Sequence, residues 1–164
     1  MVLDHKKVYL LLGSNMGARL ELLNNAIENI NLKIGEVLQQ SPFYETAAWG
    51  KTDQPGFLNV ALVVSTSLKP IEVLTKALAI EADLGRVRLE KWGARLIDID
   101  VIFYGNDIIN IPNQLCIPHP EMHNRRFVLE PLAAIAPAFM HPILKKSIAT
   151  LLYEINDQLE VTEI

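Results

Sequence analysis

The stretch ARLIDIDVIF (94–103) reads as a strand with one wholly apolar face and one interrupted by acids. Alternation places Asp98 and Asp100 on the same side as Leu96 and Ile102. Ile97, Ile99, Val101 and Phe103 fall on the other side. Two carboxylates held together beside a core repel each other, and loss of water raises the cost further. Either the pair is solvated or partnered by neighbouring arginines, or bound cations offset that cost.

Outward from this strand, the rest of the chain falls into a recognisable order. KVYLLLG (7–13) is a short apolar strand, followed by a helix over 17–31 with Leu20, Leu23, Ile27 and Ile30 at helical spacing. Ser14 or Asn15 is the expected cap of that helix. Residues 35–46 form a long strand, bent or at an edge because Pro42 cannot donate to a ladder. A breaker-rich loop (47–56), a strand (57–66) and a helix opening at Pro70 and closing at Gly85 come next. The polar loop 86–95 then feeds the aspartate strand, and YGND (104–107) is expected to fold it back on IIN as a hairpin. Two further helices are expected near 124–135 and 145–156. The order β-α-β-β-α-β predicts an α+β, ferredoxin-like sandwich with helices on one side of an antiparallel sheet, followed by extra C-terminal elements. A single domain over 1–164 fits the length.

Composition narrows the function. Half the residues are hydrophobic and 21% are charged, as in a globular protein. No apolar run reaches the roughly 18 residues a membrane span needs. Cys116 is the only cysteine, so no internal disulfide is possible and a reducing, cytoplasmic setting is expected. The net charge of −4 argues against a nucleic-acid binder. Yet five of the six arginines (Arg86, Arg88, Arg95, Arg125 and Arg126, but not Arg19) fall between 86 and 126, around the aspartates. Guanidinium forks suit phosphate oxygens, and paired carboxylates suit magnesium, which takes one or two carboxylates plus substrate phosphates. Together they point to a triphosphate site. No P-loop pattern and no protein-kinase motif set is present, and the four histidines lack zinc spacing. His119, between prolines, is either aimed at a ligand or hydrogen-bonded within its loop. Trp49 and Trp92 lie in the two breaker-rich loops and, with Phe57 and Phe127, offer rings on which a flat heterocycle can stack, with Asn59 reading its polar edge. A palm-type nucleotidyltransferase and a regulatory ligand-binding module remain as competing readings.

KWGARLIDIDVI (91–102) resembles the signature segment of the 6-hydroxymethyl-7,8-dihydropterin pyrophosphokinases of folate biosynthesis. LGSNMG (12–17), SPFYET (41–46), DQPGFLNVA (53–61), GRVR (85–88) and IPHPEMHNRRFVLEPL (117–132) resemble other blocks of that family, in the same order and over nearly the whole chain. Ala94, Leu96, Cys116 and Pro120 depart from residues common there. The resemblance implies transfer of pyrophosphate from ATP to the pterin's hydroxymethyl group, with release of AMP. It implies two Mg²⁺ ions on Asp98 and Asp100, and catalytic roles for Arg86 and Arg95. Glu81, Arg88, Trp92, His119 and Arg125 match positions near ATP. Thr46, Ala47, Trp49, Phe57, Asn59 and Phe127 match positions around the pterin. ATP and the pterin are the expected partners, with no nucleic acid, no membrane and a monomeric state. Because the substrates must meet away from water, the loops 47–56 and 86–95 are expected to act as lids.

Overall fold

The computed structural model describes residues 4–15, 17–46, 56–86 and 96–164, the side chain of Arg86 excepted. Its centre is β1 (Lys6–Ser14), apolar on both sides because both are covered. Val8, Leu10 and Leu12 point into one core, with Leu58, Val60, Leu62 and Val64 of β4 (Phe57–Thr66). That core is closed by Leu23, Ala26 and Ile30 of α1 (Arg19–Lys33) and by Val73, Ala77 and Ile80 of α2 (Pro70–Arg86). Tyr9 and Leu11 point the other way, with Ala61 and Val63. There Val128, Leu129 and Leu132 of α3 (Arg126–Ile135) and Ile148 and Leu151 of α4 (Ile148–Glu154) cover them. Each large aliphatic side chain so buried contributes about 1.5–3 kcal/mol.

The strands β1, β2 (Glu36–Gln40), β3 (Tyr44–Thr46), β4, β5 (Asp98–Tyr104) and the C-terminal strand Val161–Glu163 make one antiparallel sheet. Its order is β5-β1-β4-β3 and then the C-terminal strand, with β2 also on β4. This is the predicted βαββαβ arrangement. α1 and α2 lie on one side, as expected, while the additional helices α3 and α4 cover the other.

Local differences from the sequence reading have identifiable causes. The long strand 35–46 is split around Pro42 into β2 and β3, both on β4. Across the gap, Ser41 N–H donates to the Ala61 carbonyl, and Ser41 Oγ accepts from Ala61 N–H, each at 2.9 Å. Ser14 does not cap α1; it ends β1, and the N-cap residue is Ala18, without a side-chain cap. The turn at Tyr104–Asp107 forms, with Asp107 N–H donating to the Tyr104 carbonyl at 3.0 Å. The expected hairpin with β5 does not follow. Ile109–Ile111 (β6) pairs instead with Leu115–Ile117 (β7) as a separate two-stranded sheet. Other groups bond the edge of β5: Ile99 N–H donates to Glu81 Oε2, and the Ile102 carbonyl accepts from His119 N–H. Phe103 was expected opposite the aspartates. A register shift in β5, where Tyr9 faces Phe103 but Leu10 faces Val101, turns Phe103 into the same core as Ile102.

The second core also holds His141, 4% exposed, whose Nδ1 accepts from Ile143 N–H at 3.1 Å and Leu144 N–H at 3.0 Å. Burial, and secondarily the charge of His123, holds this imidazole below its ordinary value of 6.5. The unfolded chain therefore takes up the proton more readily than the folded one. The contribution to stability is present above pH 6.5 and is lost as pH falls through the lowered folded value. The thermal unfolding midpoint should accordingly be lower at about pH 5.5 than at about pH 7.5. A flat profile would contradict a buried neutral ring.

Candidate active site

Strand register brings the chemistry-bearing residues together at one end of the sheet. Asp98 of β5 faces Gly13 of β1, Gly13 faces Asn59 of β4, and Asn59 faces Tyr44 of β3. Residues paired in this way share a sheet face, so these four form a row on the α3 side. At about 4.8 Å per strand, the backbones of Asp98 and Asn59 stand about 10 Å apart. Asp100, opposite Leu11, lies one row inward, and Phe57 with Thr46 one row outward. The aspartate strand thus sets Asp98 level with an amide two strands away, and Asp100 one row behind it.

The middle of the row is kept low by Gly13. A Cβ there would sit 2.6 Å from Asn59 Nδ2, closer than the two atoms can approach. Asn59 Nδ2 donates to the Leu12 carbonyl at 3.2 Å, which fixes the amide and presents Oδ1 as an acceptor. That Oδ1 and Thr46 Oγ1 are buried polar atoms with no hydrogen-bond partner among the described residues. Each such group left unpaired costs about 1–3 kcal/mol. Two of them on neighbouring strands mark a place that a polar ligand would complete.

The acidic end is braced from both sides. Glu81 of α2 accepts from Ile99 N–H at 2.6 Å, between the two aspartates, and Ser14 Oγ donates to the Leu96 carbonyl at 2.6 Å. Asp100 is exposed and Asp98 half-buried. His119 is anchored by its own N–H on the Ile102 carbonyl at 3.1 Å, and its Nδ1 accepts from Glu121 N–H at 3.2 Å. In the neutral ring the proton is then on Nε2, free to be donated. Burial chiefly lowers the His119 pKa. Asp100 and Glu121 oppose that shift and Arg125 adds to it, so these charges share one neighbourhood. Arg125 Cζ lies 5.8 Å from the centroid of the Phe127 ring. Phe127 is half-buried on α3, whereas Phe57 is 42% exposed.

Of the residues expected at a site, Thr46, Phe57, Asn59, Asp98 and Asp100 therefore meet on one sheet face. His119 lies within the influence of both Asp100 and Arg125, and Phe127 adjoins Arg125. Glu81 bonds the aspartate strand itself. Ala47, Trp49, Arg88, Trp92 and Arg95, and the side chain of Arg86, lie outside the described residues, as do most of the loops 47–56 and 86–95. Sequence reasoning gave Gly13 no role at the site and read Ser14 only as a helix cap, although both sit in the block LGSN; a glycine closing an apolar strand was the available signal.

The fold is a ferredoxin-like sandwich whose sheet carries two acids and, among the described residues, two unpaired polar acceptors on adjacent rows of one face, an arrangement suited to a small molecule. The model of the family 7,8-dihydro-6-hydroxymethylpterin-pyrophosphokinase (HPPK) matches residues 9–137. The chain is 42% identical over 155 residues to the folic acid synthesis protein fol1 of Pneumocystis carinii, covering 94% of this chain and 21% of that one. It is 43% identical over 146 residues to the 2-amino-4-hydroxy-6-hydroxymethyldihydropteridine pyrophosphokinase of Synechocystis, covering 88% of this chain and 74% of that one. Among solved structures, a triple mutant of Plasmodium falciparum HPPK-DHPS superposes with a TM-score of 0.74. It is 18% identical and is covered over 92% of this chain and 43% of that chain, a likeness of fold. The chain belongs to the HPPK family. It spans about a fifth of the length of the Pneumocystis relative and under half of the Plasmodium chain.

Proposed function

We propose that the chain transfers pyrophosphate from ATP to the hydroxymethyl oxygen of 6-hydroxymethyl-7,8-dihydropterin, releasing AMP, as a step in folate synthesis. One observation carries the reading beyond family membership. Asn59 Oδ1 and Thr46 Oγ1 are buried and without a hydrogen-bond partner among the described residues, and they belong to the residues that the resemblance assigns to the pterin. A pterin edge carries amino and ring N–H donors that answer an acceptor such as Asn59 Oδ1. Phe57 and Phe127 would close on the two faces of the ring.

In the reaction the hydroxymethyl oxygen forms a bond to the β-phosphorus, and the bond from that phosphorus to the oxygen retained by AMP breaks. Asp98 and Asp100 offer hard oxygen donors on one face and would hold two Mg²⁺ ions, whose charge when bound draws density from the phosphates and favours loss of the alcohol proton. His119, neutral with Nε2–H available, and Arg125 would donate to phosphate oxygens. Glu81 keeps the aspartate strand in place through Ile99. Arg86 and Arg95 are assigned to the charge that develops during transfer, and Arg88 and Trp92 to ATP. Ala47 and Trp49 complete the pterin site in this reading. Positioning and electrostatics carry most of such a step.

A monomer in the cytoplasm is part of the same reading. Among the described residues no helix is long and apolar enough to cross a membrane. The deciding experiment is incubation with ATP, magnesium and the hydroxymethyl dihydropterin. Stoichiometric AMP and pyrophosphorylated pterin are expected; release of inorganic pyrophosphate instead would favour a nucleotidyltransferase. Phe127→Ala should weaken pterin binding about tenfold through lost stacking area, with little change for ATP. Fluorescence titration of the pterin would read this, and an unchanged affinity would refute the sandwich.

A further inference from the structure

Arg19 stands apart from the arginine cluster, at the first residue of α1. A cation is unfavourable there, because the N-terminal end of a helix is itself positive. Its side chain is nonetheless three-quarters buried, at 25% exposure. A single nitrogen, Nη1, donates to Glu45 Oε2 at 2.5 Å and to the Gly56 carbonyl at 2.7 Å. Glu45 precedes Thr46 on β3, and Gly56 precedes Phe57 on β4. Thr46 and Phe57 are the terminal pair of the β3–β4 ladder.

We infer that Arg19 is a positioning residue that clamps these two strand ends and so sets the spacing of Thr46 and Phe57 in the substrate cleft. It acts from behind the sheet. Glu45 faces Leu58, on the α1 side, while Thr46 and Phe57 face the α3 side. No contact with substrate is needed: the guanidinium holds an acidic side chain on β3 and the backbone carbonyl of the residue that leads into β4, both through one planar donor. The pterin part of the inference rests on the functional reading above; the clamp itself does not.

Two measurements on the full chain separate these parts. The first is amide hydrogen exchange without ligand. Arg19→Ala should speed exchange at the Thr46–Leu58 ends of β3 and β4 about tenfold, and leave Val8–Leu12 of β1 unchanged. The second is titration with the pterin and with a non-hydrolysable ATP analogue in the presence of Mg²⁺. Arg19→Ala and Glu45→Ala should each weaken the pterin about tenfold and leave the ATP analogue within about twofold. The double variant should be no weaker than Arg19→Ala, and Arg19→Lys, which keeps a cationic donor, should recover most of the loss.

Unchanged exchange at the strand ends, equal loss for both ligands, or no recovery in Arg19→Lys would overturn the clamp. Should Arg19→Ala fail to fold, Glu45→Ala and Arg19→Lys carry the same comparison. If the wild-type chain itself does not bind the pterin, the functional reading fails, and the exchange measurement still decides the clamp.

Discussion

Replacing Asp100 with alanine is expected to slow AMP formation about a thousandfold, equivalent to about 4 kcal/mol of transition-state stabilisation. Pterin affinity should stay within about threefold, because Asp100 lies one row inward of Asp98 and two strands from Asn59. Asp98→Ala should cost as much. Asp98 lies in the same row as Gly13 and Asn59. The exposed setting of Asp100 argues against a merely structural acid, since its removal leaves no hole in the core. Single-turnover AMP formation at increasing magnesium would separate the roles. Asp100→Asn should need more magnesium to reach its maximal rate, whereas a residue that only shaped the strand would not shift that dependence. Near-normal turnover in either alanine variant would sink the metal assignment.

The second large effect is expected at Asn59. Asn59→Ala should reduce pterin affinity about 10- to 100-fold, since a buried ligand donor would lose its acceptor. ATP binding should hold. Thermal stability should change little, because the lost bond to the Leu12 carbonyl is offset by removal of an unpaired buried oxygen. Isothermal titration with each ligand, beside a melting curve, tests all three statements. Pterin affinity within twofold of wild type would remove Asn59 from the substrate site.

These expectations were partly legible in the amino-acid order. The acids of β5 announce themselves because charge in an otherwise apolar strand is costly, and Pro70 at the start with Gly85 at the end marked α2. The extra residue at Ile102 was not visible, since alternation counts residues and cannot show which one a neighbouring strand skips. Ile109–Ile111 pairs with Leu115–Ile117 through its own turn, where Gln114 N–H donates to the Ile111 carbonyl and Asn113 takes a positive φ. The edge of β5 is met from distant segments by Glu81 and His119, contacts that alternation does not show. The strand Val161–Glu163 is too short to carry a pattern. At the site, Asn59 was read as a partner for the polar edge of a stacked heterocycle, whereas Thr46 was named only through likeness to other sequences. Their unpaired oxygens became evident only with the ladder in place. Arg19 was set aside because it lies far along the chain from the other arginines, although three dimensions bring it to the back of the same cleft.

The two-sided burial of β1 has a consequence for how selectivity arises. β1 is bonded along both edges and shielded above and below, so its amides should be among the last to exchange as the domain opens. Gly13 continues that strand directly into the cleft. In the proposed site the ground beneath a ligand would therefore be among the least yielding of the described residues, and discrimination there would rest on shape given in advance: a ring substituent that needed another ångström beside Gly13 would be refused rather than accommodated.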